Sequence, residues 1–225
     1  MKIDVIIPVI RKDLLKLLID DFKGQSLLPA HVLVIDNSGT TDSTEYTDMP
    51  FPVTRVAQSK NIGVNASWNL GIGICLNCDA VAILNDDIRI SVDFFKKIAA
   101  VLNLVPDAAV VCPQTLPETD CFLQNPHQET GRIIPMRKRE GWAMSIRRDI
   151  LDQIPPIPDS LRTFCGDDWF WYWTVVRLKK YWVKDLSNII YHHVGASMVE
   201  NLNIRAALKA EKAEFARIIR GLEAN

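Results

Sequence analysis

A covalent scaffold is missing from this chain: its five cysteines are odd in number, and two of them, Cys75 and Cys78, lie in an apolar helical stretch. That argues against a secreted disulfide framework and fits a reducing, cytosolic setting. Cys75-Leu76-Asn77-Cys78 has the spacing of a zinc knuckle, but no second pair follows, so the pair reads as buried packing and not as zinc. Charge of one sign is lacking as well. Lys and Arg number 26 against 27 Asp and Glu, and a formal net charge of -1 gives no general attraction to nucleic acid or to a membrane. No stretch approaches the ~20 apolar residues of a membrane span, and the run Ile3 to Ile10 is too short for a signal peptide core with its flanks. Repeats and low-complexity segments are absent. What remains, 48% hydrophobic and 24% charged over 225 residues, is a globular chain able to bury a core as one compact domain or two unequal lobes.

The core shows itself as alternating strands and helices. Ile3 to Pro8 predicts a buried first strand, and Leu14, Leu15, Leu17, Leu18, Ile19 and Phe22 recur at helical spacing after it. His31 to Asp36 is a second apolar run of the kind that lies in the middle of a parallel sheet, stopping at the turn cluster Asp36-Asn37-Ser38-Gly39. Val53 to Val56 predicts a short edge strand, Val64 to Leu76 a helix, and Val81 to Leu84 a strand. A helix capped by Ser91 and running to about Leu104 follows, then a strand over Ala108 to Cys112. This regular alternation predicts an α/β sheet with right-handed crossovers. From Pro113 to about Glu140 the pattern dissolves into a long substrate-facing loop. A strand over 141–146, a short helix over 147–154, an aromatic-rich helix from Gly166 to about Lys180 and two short strands around 181–183 and 189–191 come next. The tail from Leu202 to Leu222 is an amphipathic helix.

Acids at the ends of apolar strands carry the chemistry. Val81-Ala82-Ile83-Leu84 delivers Asn85-Asp86-Asp87 at the sheet edge where ligands of open α/β folds bind. Two buried neighbouring carboxylates repel each other unless a cation or ligand compensates them, and hard divalent cations favour such oxygens. A solvated turn is the competing reading. Asp36, at another strand end, could accept hydrogen bonds from a nucleobase or ribose, or serve as an Asx-turn residue. Asn61, Gly63 and Asn69 flank a helix start, where free amides can line a nucleotide pocket. Asp167 and Asp168 open a helix, so one is expected as its N-cap and the other is free to act as a general base. His192 and His193 follow a short strand and are either structural or metal-ligating. Of Trp169, Phe170, Trp171, Tyr172 and Trp173 most must be core, with one ring free to stack on a sugar, and Trp142 is a similar candidate. Arg132, Arg137, Lys138 and Arg139 could clamp phosphate or an anionic acceptor, or form a solvated run.

In their order these segments resemble a family 2 glycosyltransferase of the GT-A fold, especially its rhamnosyltransferase-like members. The matching residues are Val5-Ile6-Ile7-Pro8, Val34-Ile35-Asp36-Asn37-Ser38, Asn61-Ile62-Gly63 with Asn69-Leu70-Gly71, and Leu84-Asn85-Asp86-Asp87. They continue through Gly141 and Trp142 to Arg148, Gly166-Asp167-Asp168-Trp169 and His192 to Ser197. The resemblance implies a Rossmann-like mixed central sheet flanked by helices, with a nucleotide-sugar half over about 1–112, an acceptor half over about 113–200 and a C-terminal helix over 201–225. It implies that Asp36 contacts the nucleobase, that Pro8, Asn61 and Asn69 serve the donor side, and that Asp86 assists around the sugar or ribose. Asp87 would be the metal-binding last acid of the Asp-x-Asp-like motif, and His192 the histidine that completes the metal site. Asp168 would be the base and Asp167 would bind acceptor.

The activity so implied is inverting transfer of one hexosyl or deoxyhexosyl unit from a nucleoside-diphosphate sugar to a hydroxyl, with Mn2+ or Mg2+ stabilising the leaving diphosphate. A glycan is the default acceptor, and a nucleic acid or protein acceptor stays open. Asn85 stands where a strict motif has Asp, and the Gln-x-x-Arg-Trp signature of processive synthases is missing, which favours single transfer. A sugar nucleotidyltransferase should carry a Gly-rich loop after the first strand, where Pro8-Val9-Ile10-Arg11-Lys12 has none. A binding module that kept the fold and lost turnover is the alternative from another class. The tail helix lies outside the resemblance. It is expected to pack on the domain, to pair with another subunit or to place a cytoplasmic enzyme at a membrane surface, in that order.

Overall fold

The computed structural model describes residues 1–39, 46, 48–116, 132–193 and 204–224. Along the chain run β1 (Ile3–Val9), α1 (Lys12–Lys23), β2 (His31–Asp36), β3 (Val53–Ala57), α2 (Val64–Ile74), β4 (Ala80–Leu84), β5 (Ile88–Ile90), α3 (Phe94–Leu104), β6 (Ala108–Leu116), β7 (Ile133–Pro135), β8 (Ala143–Arg147), α4 (Arg148–Leu151), α5 (Gly166–Trp171), a π-helical turn (Tyr172–Arg177), β9 (Tyr181–His192) and α6 (Ile204–Glu223). The strands make one mixed sheet in the order β3-β2-β1-β4-β8-β6-β9-β5, with β7 added against β9.

Strands β3, β2, β1 and β4 are parallel, and β8 runs antiparallel between β4 and β6. The central strands are apolar on both sides because both faces are covered. On one face α1 buries Leu15, Leu18, Ile19 and Phe22, the i, i+3, i+4, i+7 stripe of an amphipathic helix, and α3 adds Phe94, Phe95, Ile98 and Leu102. Phe22 and Phe95 meet edge to face at 5.4 Å. On the other face α2, α4 and α5 pack Trp68, Ile150, Leu151, Trp169 and Phe170 over Ile6, Leu33, Ile83 and Ile146. Phe215, Ile218, Ile219 and Leu222 of α6 join this second layer, so the tail helix packs on the domain.

The structure corrects four expectations. Ser91 does not cap α3 with its side chain: its hydroxyl has no partner among the described residues, while its carbonyl takes the Phe94 N–H at 3.1 Å and the Gln25 amide at 2.7 Å. The two short strands after Lys180 are a single strand, β9. Its register against β6 jumps between Asp185 and Ile189, where the Asp185 carboxylate accepts the Ser187 N–H at 2.9 Å and hydroxyl at 2.7 Å. That irregularity turns β9 from β7 on its first half to β5 on its second. The long aromatic helix is α-helical only to Trp171 and continues as the π turn, where the Thr174 hydroxyl bonds the Phe170 carbonyl at 2.6 Å and accepts from Trp182 Nε1 at 2.7 Å. Residues 113–116 extend β6 and 133–135 form β7, which shortens the predicted loop; 117–131 lie outside the described residues.

Candidate active site

After Leu84 the chain turns through Asn85-Asp86-Asp87 into β5, so the two acids stand at the C-terminal edge of the parallel strands. Asp86 Oδ2 accepts the backbone N–H groups of Ile10 and Arg11, both at 2.8 Å, which ties the turn to the end of β1. Burial pushes the Asp86 carboxyl up to about 6 against the pull of those two amides, and the neighbouring Asp87 adds to the rise.

Asp87 is 4% exposed. Its carbonyl accepts the His193 N–H at 2.9 Å, and Ile88 pairs with His192 across the β5–β9 ladder. This register brings His192 Nε2 to 3.2 Å from Asp87 Oδ1. The two are close but not aligned as donor and acceptor, and that carboxylate oxygen has no hydrogen-bond partner among the described residues. The Trp142 ring lies 5.3 Å from His192 with 19° between the planes, and its Nε1 donates to the Thr115 hydroxyl at 2.9 Å. A fixed imidazole beside a buried carboxylate oxygen that has no hydrogen-bond partner among the described residues offers two ligand types that a divalent cation accepts.

Asp167 and Asp168 reach the same cleft from the first turn of α5. The Asp167 carboxylate accepts the Asp168 N–H at 3.0 Å, and burial raises its pKa while Arg139 opposes the rise. The Arg139 guanidinium pairs with the Asp168 carboxylate. Asn65 holds the preceding loop through the Leu161 and Phe164 carbonyls, at 2.9 and 2.7 Å. Only a glycine fits at 166, where a Cβ would come within 2.2 Å of Asn65 Oδ1.

These walls enclose a cleft of about 760 Å³, within the usual range for small-molecule sites. Of the sequence candidates, Pro8, Asp86, Asp87, Asp167, Asp168 and His192 line it, with Lys138, Arg139 and Trp142. Asp36, Asn61 and Asn69 are not among its lining residues. The Asp36 carboxylate is filled by the Ser38 and Gly39 amides, the Ser38 hydroxyl and Arg55, whose Nη2 lies at 2.7 Å. Asn61 accepts the Gly63 N–H at 2.8 Å, and Asn69 clamps both backbone groups of Ile157. None of the rings from Trp169 to Trp173 lines the cleft; Trp169 packs on Trp173 and Trp171 on Trp182. Sequence reasoning missed Asn37, Asn65, Trp68, Thr115, Leu208 and Lys212. Asn37 directly follows a strand end, which was the available signal. Leu208 and Lys212 reach the cleft only through the docking of α6. Residues 194–197 of the predicted histidine motif lie outside the described residues. Among the described residues no helix is long and apolar enough to cross a membrane.

A doubly covered mixed sheet with carboxylates at its parallel-strand edge is the α/β architecture of GT-A glycosyltransferases. The family model of glycosyl transferase family 2 matches residues 4–164, and the chain belongs to that family. S. aureus TarS has the same fold, with a TM-score of 0.65 and 16% identity over 87% of this chain and 37% of that one. TarS 1–349 in complex with UDP-GlcNAc matches at 0.65 and 15%, over 89% and 61%. GalNAc-T7, crystallised with UDP, GalNAc and Mn2+, matches at 0.67 and 9%, over 85% and 44%. The chain thus spans about a third to three fifths of the length of these structures. No curated protein matches it significantly in sequence.

Proposed function

We propose that this chain transfers a single sugar, of hexosyl or deoxyhexosyl type, from a nucleoside-diphosphate sugar to an acceptor hydroxyl with inversion at the anomeric carbon. The observation that carries the reading is the unsatisfied Asp87 carboxylate oxygen facing His192 in the cleft that also holds Asp167 and Asp168. Asp87 and His192 would hold a divalent cation, Mn2+ or Mg2+, which when bound supplies stabilisation of negative charge on the departing nucleoside diphosphate. Asp86 fixes the floor by binding the Ile10 and Arg11 amides. Asp168 takes the acceptor hydroxyl proton as the oxygen attacks, and Asp167 orients that hydroxyl. Arg139 pairs with the Asp168 carboxylate and holds it in the cleft. The GT-A neighbours bound to UDP and UDP-GlcNAc support starting with uridine donors.

The test is titration of wild type and Asp87→Ala with UDP-, GDP- and dTDP-sugars, with and without Mn2+, followed by turnover with candidate acceptors. Metal-dependent binding of one donor, lost in the variant, together with release of the nucleoside diphosphate supports the reading. Binding without turnover for any acceptor or water turns it into a binding module, and no donor binding at all overturns both.

A further inference from the structure

At the opposite end of β1 from the cleft a second constellation assembles from three separate elements. Asp4 and His31 are register partners on the neighbouring parallel strands β1 and β2, so their side chains share a face. The C-cap residue of α2, Cys75, comes down on that face. One ligand atom from each of Asp4, His31 and Cys75 lies within 4.8 Å of the others. The Cys78 thiol stands at the edge of this group, donating to the Cys75 carbonyl at 3.4 Å. Five residues of strand, about 16 Å at ~3.3 Å per residue, separate Asp4 from the end of β1 where the cleft begins.

We propose that Asp4, His31, Cys75 and Cys78 form a structural zinc site that pins the end of α2 to the first two strands. Sequence spacing alone hides it, because the second half of the ligand set comes from two other strands and not from a second cysteine pair. The chemistry suits Zn2+: thiolate, imidazole and carboxylate in a four-membered set select it over Mg2+ or Mn2+. At Zn–S of about 2.3 Å and Zn–N of about 2.05 Å a tetrahedral pair of ligand atoms is about 3.5 Å apart, so contraction of about 1 Å closes the set of Asp4, His31 and Cys75, and the Cys78 thiol completes it by turning away from the Cys75 carbonyl. Packing alone accounts poorly for a buried carboxyl beside a buried thiol, since apolar residues fill such a place without desolvating an acid. The His31 ring is held by the Thr54 hydroxyl 2.9 Å from Nε2, the kind of outer contact that orients ligand histidines. His31 and Cys78 are half-buried, which leaves an entry path. Arg148 stands nearby, but its Nη1 is committed to the Ile72 and Cys75 carbonyls at 2.9 and 3.0 Å and its Nη2 to Asp152. The negative end of α2 also favours a cation at this position.

The test uses the full metal-free chain in the Asp87→Ala background, which removes the ligand pair of the cleft, titrated with Co2+ and then Zn2+. One equivalent of Co2+ should give a thiolate-to-cobalt charge-transfer band that Zn2+ displaces. His31→Ala, which removes a half-exposed ring, should weaken Co2+ binding at least tenfold while leaving the circular dichroism spectrum unchanged, and Cys75→Ser should abolish the band. Zn2+ should raise the Tm of the parent and not that of His31→Ala. Absence of the band, or a band of equal affinity in both variants, overturns the proposal.

Discussion

The Nε2 atom of His192 lies 3.2 Å from Asp87 Oδ1, and yet among the described residues that oxygen is without a hydrogen-bond partner. A buried carboxylate held this way is a cost to the fold, borne where a ligand will use it. Asp87→Ala is therefore expected to lower kcat/KM by about 10²- to 10³-fold, the usual loss on removing one electrostatic stabiliser of a transition state. Its Tm in metal-free buffer should be equal to or higher than that of wild type. Thermal melts beside initial rates check this; a variant that is inactive because it unfolds at a markedly lower temperature would make Asp87 a structural residue.

Asp168 and Arg139 form an ion pair inside the cleft, with Asp168 nearly buried. If Asp168 is the base, Asp168→Asn keeps the shape, loses the proton acceptor and costs about 10²- to 10⁴-fold in kcat. Donor affinity, measured by calorimetry with Mn2+ present, should stay within a factor of about two or three of wild type, since the proposed metal and donor side lies at Asp87 and His192. Equal losses in donor affinity and rate would place Asp168 on the donor and not on the acceptor.

Burial raises the Asp167 pKa above its ordinary 3.8, with Arg139 opposing. The folded chain then holds a proton that the unfolded chain has released, so between 3.8 and the higher folded value stability falls as pH rises. The stabilising contribution of the protonated form is complete below 3.8 and lost above the folded pKa. Asp167→Asn keeps an oxygen for the Asp168 N–H and removes the titration. Urea denaturation at a series of pH values should show a flatter profile for the variant and a gain in stability at neutral pH. An unchanged profile would assign the pH dependence to other groups.

Apolar strand runs and the acids at their ends were legible because a doubly covered parallel strand has almost no other way to be written. The apolar runs Ile3 to Pro8, His31 to Asp36 and Val81 to Leu84 fall within β1, β2 and β4, and Asp86, Asp87, Asp167 and Asp168 reach one cleft. Three-residue β5 was hidden, since Ile88-Arg89-Ile90 is too short to show a period, and yet it sets the Asp87–His192 approach. Asn69 read as a nucleotide contact because a short amide near a helix start is ambiguous; its partner, Ile157, is 88 residues away. Lys212 enters the cleft by tertiary docking, which no local pattern encodes.

Gly166 faces Asn65 Oδ1 and Trp68 Cζ3, at 2.2 and 2.6 Å from where a Cβ would stand. Both neighbours are buried, and Asn65 is anchored to Leu161 and Phe164, so neither can yield cheaply. Gly166→Ala should cost roughly 1–3 kcal/mol by overpacking and displace Asp167 and Asp168 on the first turn of α5. Asn65→Ala alone should also destabilise, yet the Gly166→Ala cost should shrink in the double variant by about 1 kcal/mol or more, because the nearer of the two clash partners is gone. Denaturant titration of the four proteins gives the coupling, and strictly additive effects would locate the strain elsewhere.

Glu211 carries the contribution of α6 to the site. Its carboxylate accepts the Thr163 N–H at 3.1 and 3.2 Å and the Phe164 N–H at 2.7 Å, next to Leu208 and Lys212 on the cleft wall. The loop it holds leads through Cys165, at φ 60°, directly into α5. A left-handed backbone at a residue other than glycine is strained and persists only while its surroundings fix it. Removing the carboxylate in Glu211→Ala frees two amides and should cost roughly 1–2 kcal/mol, the scale of charged hydrogen bonds partly open to water. About 1.4 kcal/mol lost in positioning Asp168 corresponds to a tenfold lower kcat/KM. Glu211→Gln, which keeps one acceptor oxygen, should recover most of both. Denaturation midpoints and steady-state rates for the two variants decide it: an Ala variant indistinguishable from wild type would leave α6 as packing alone.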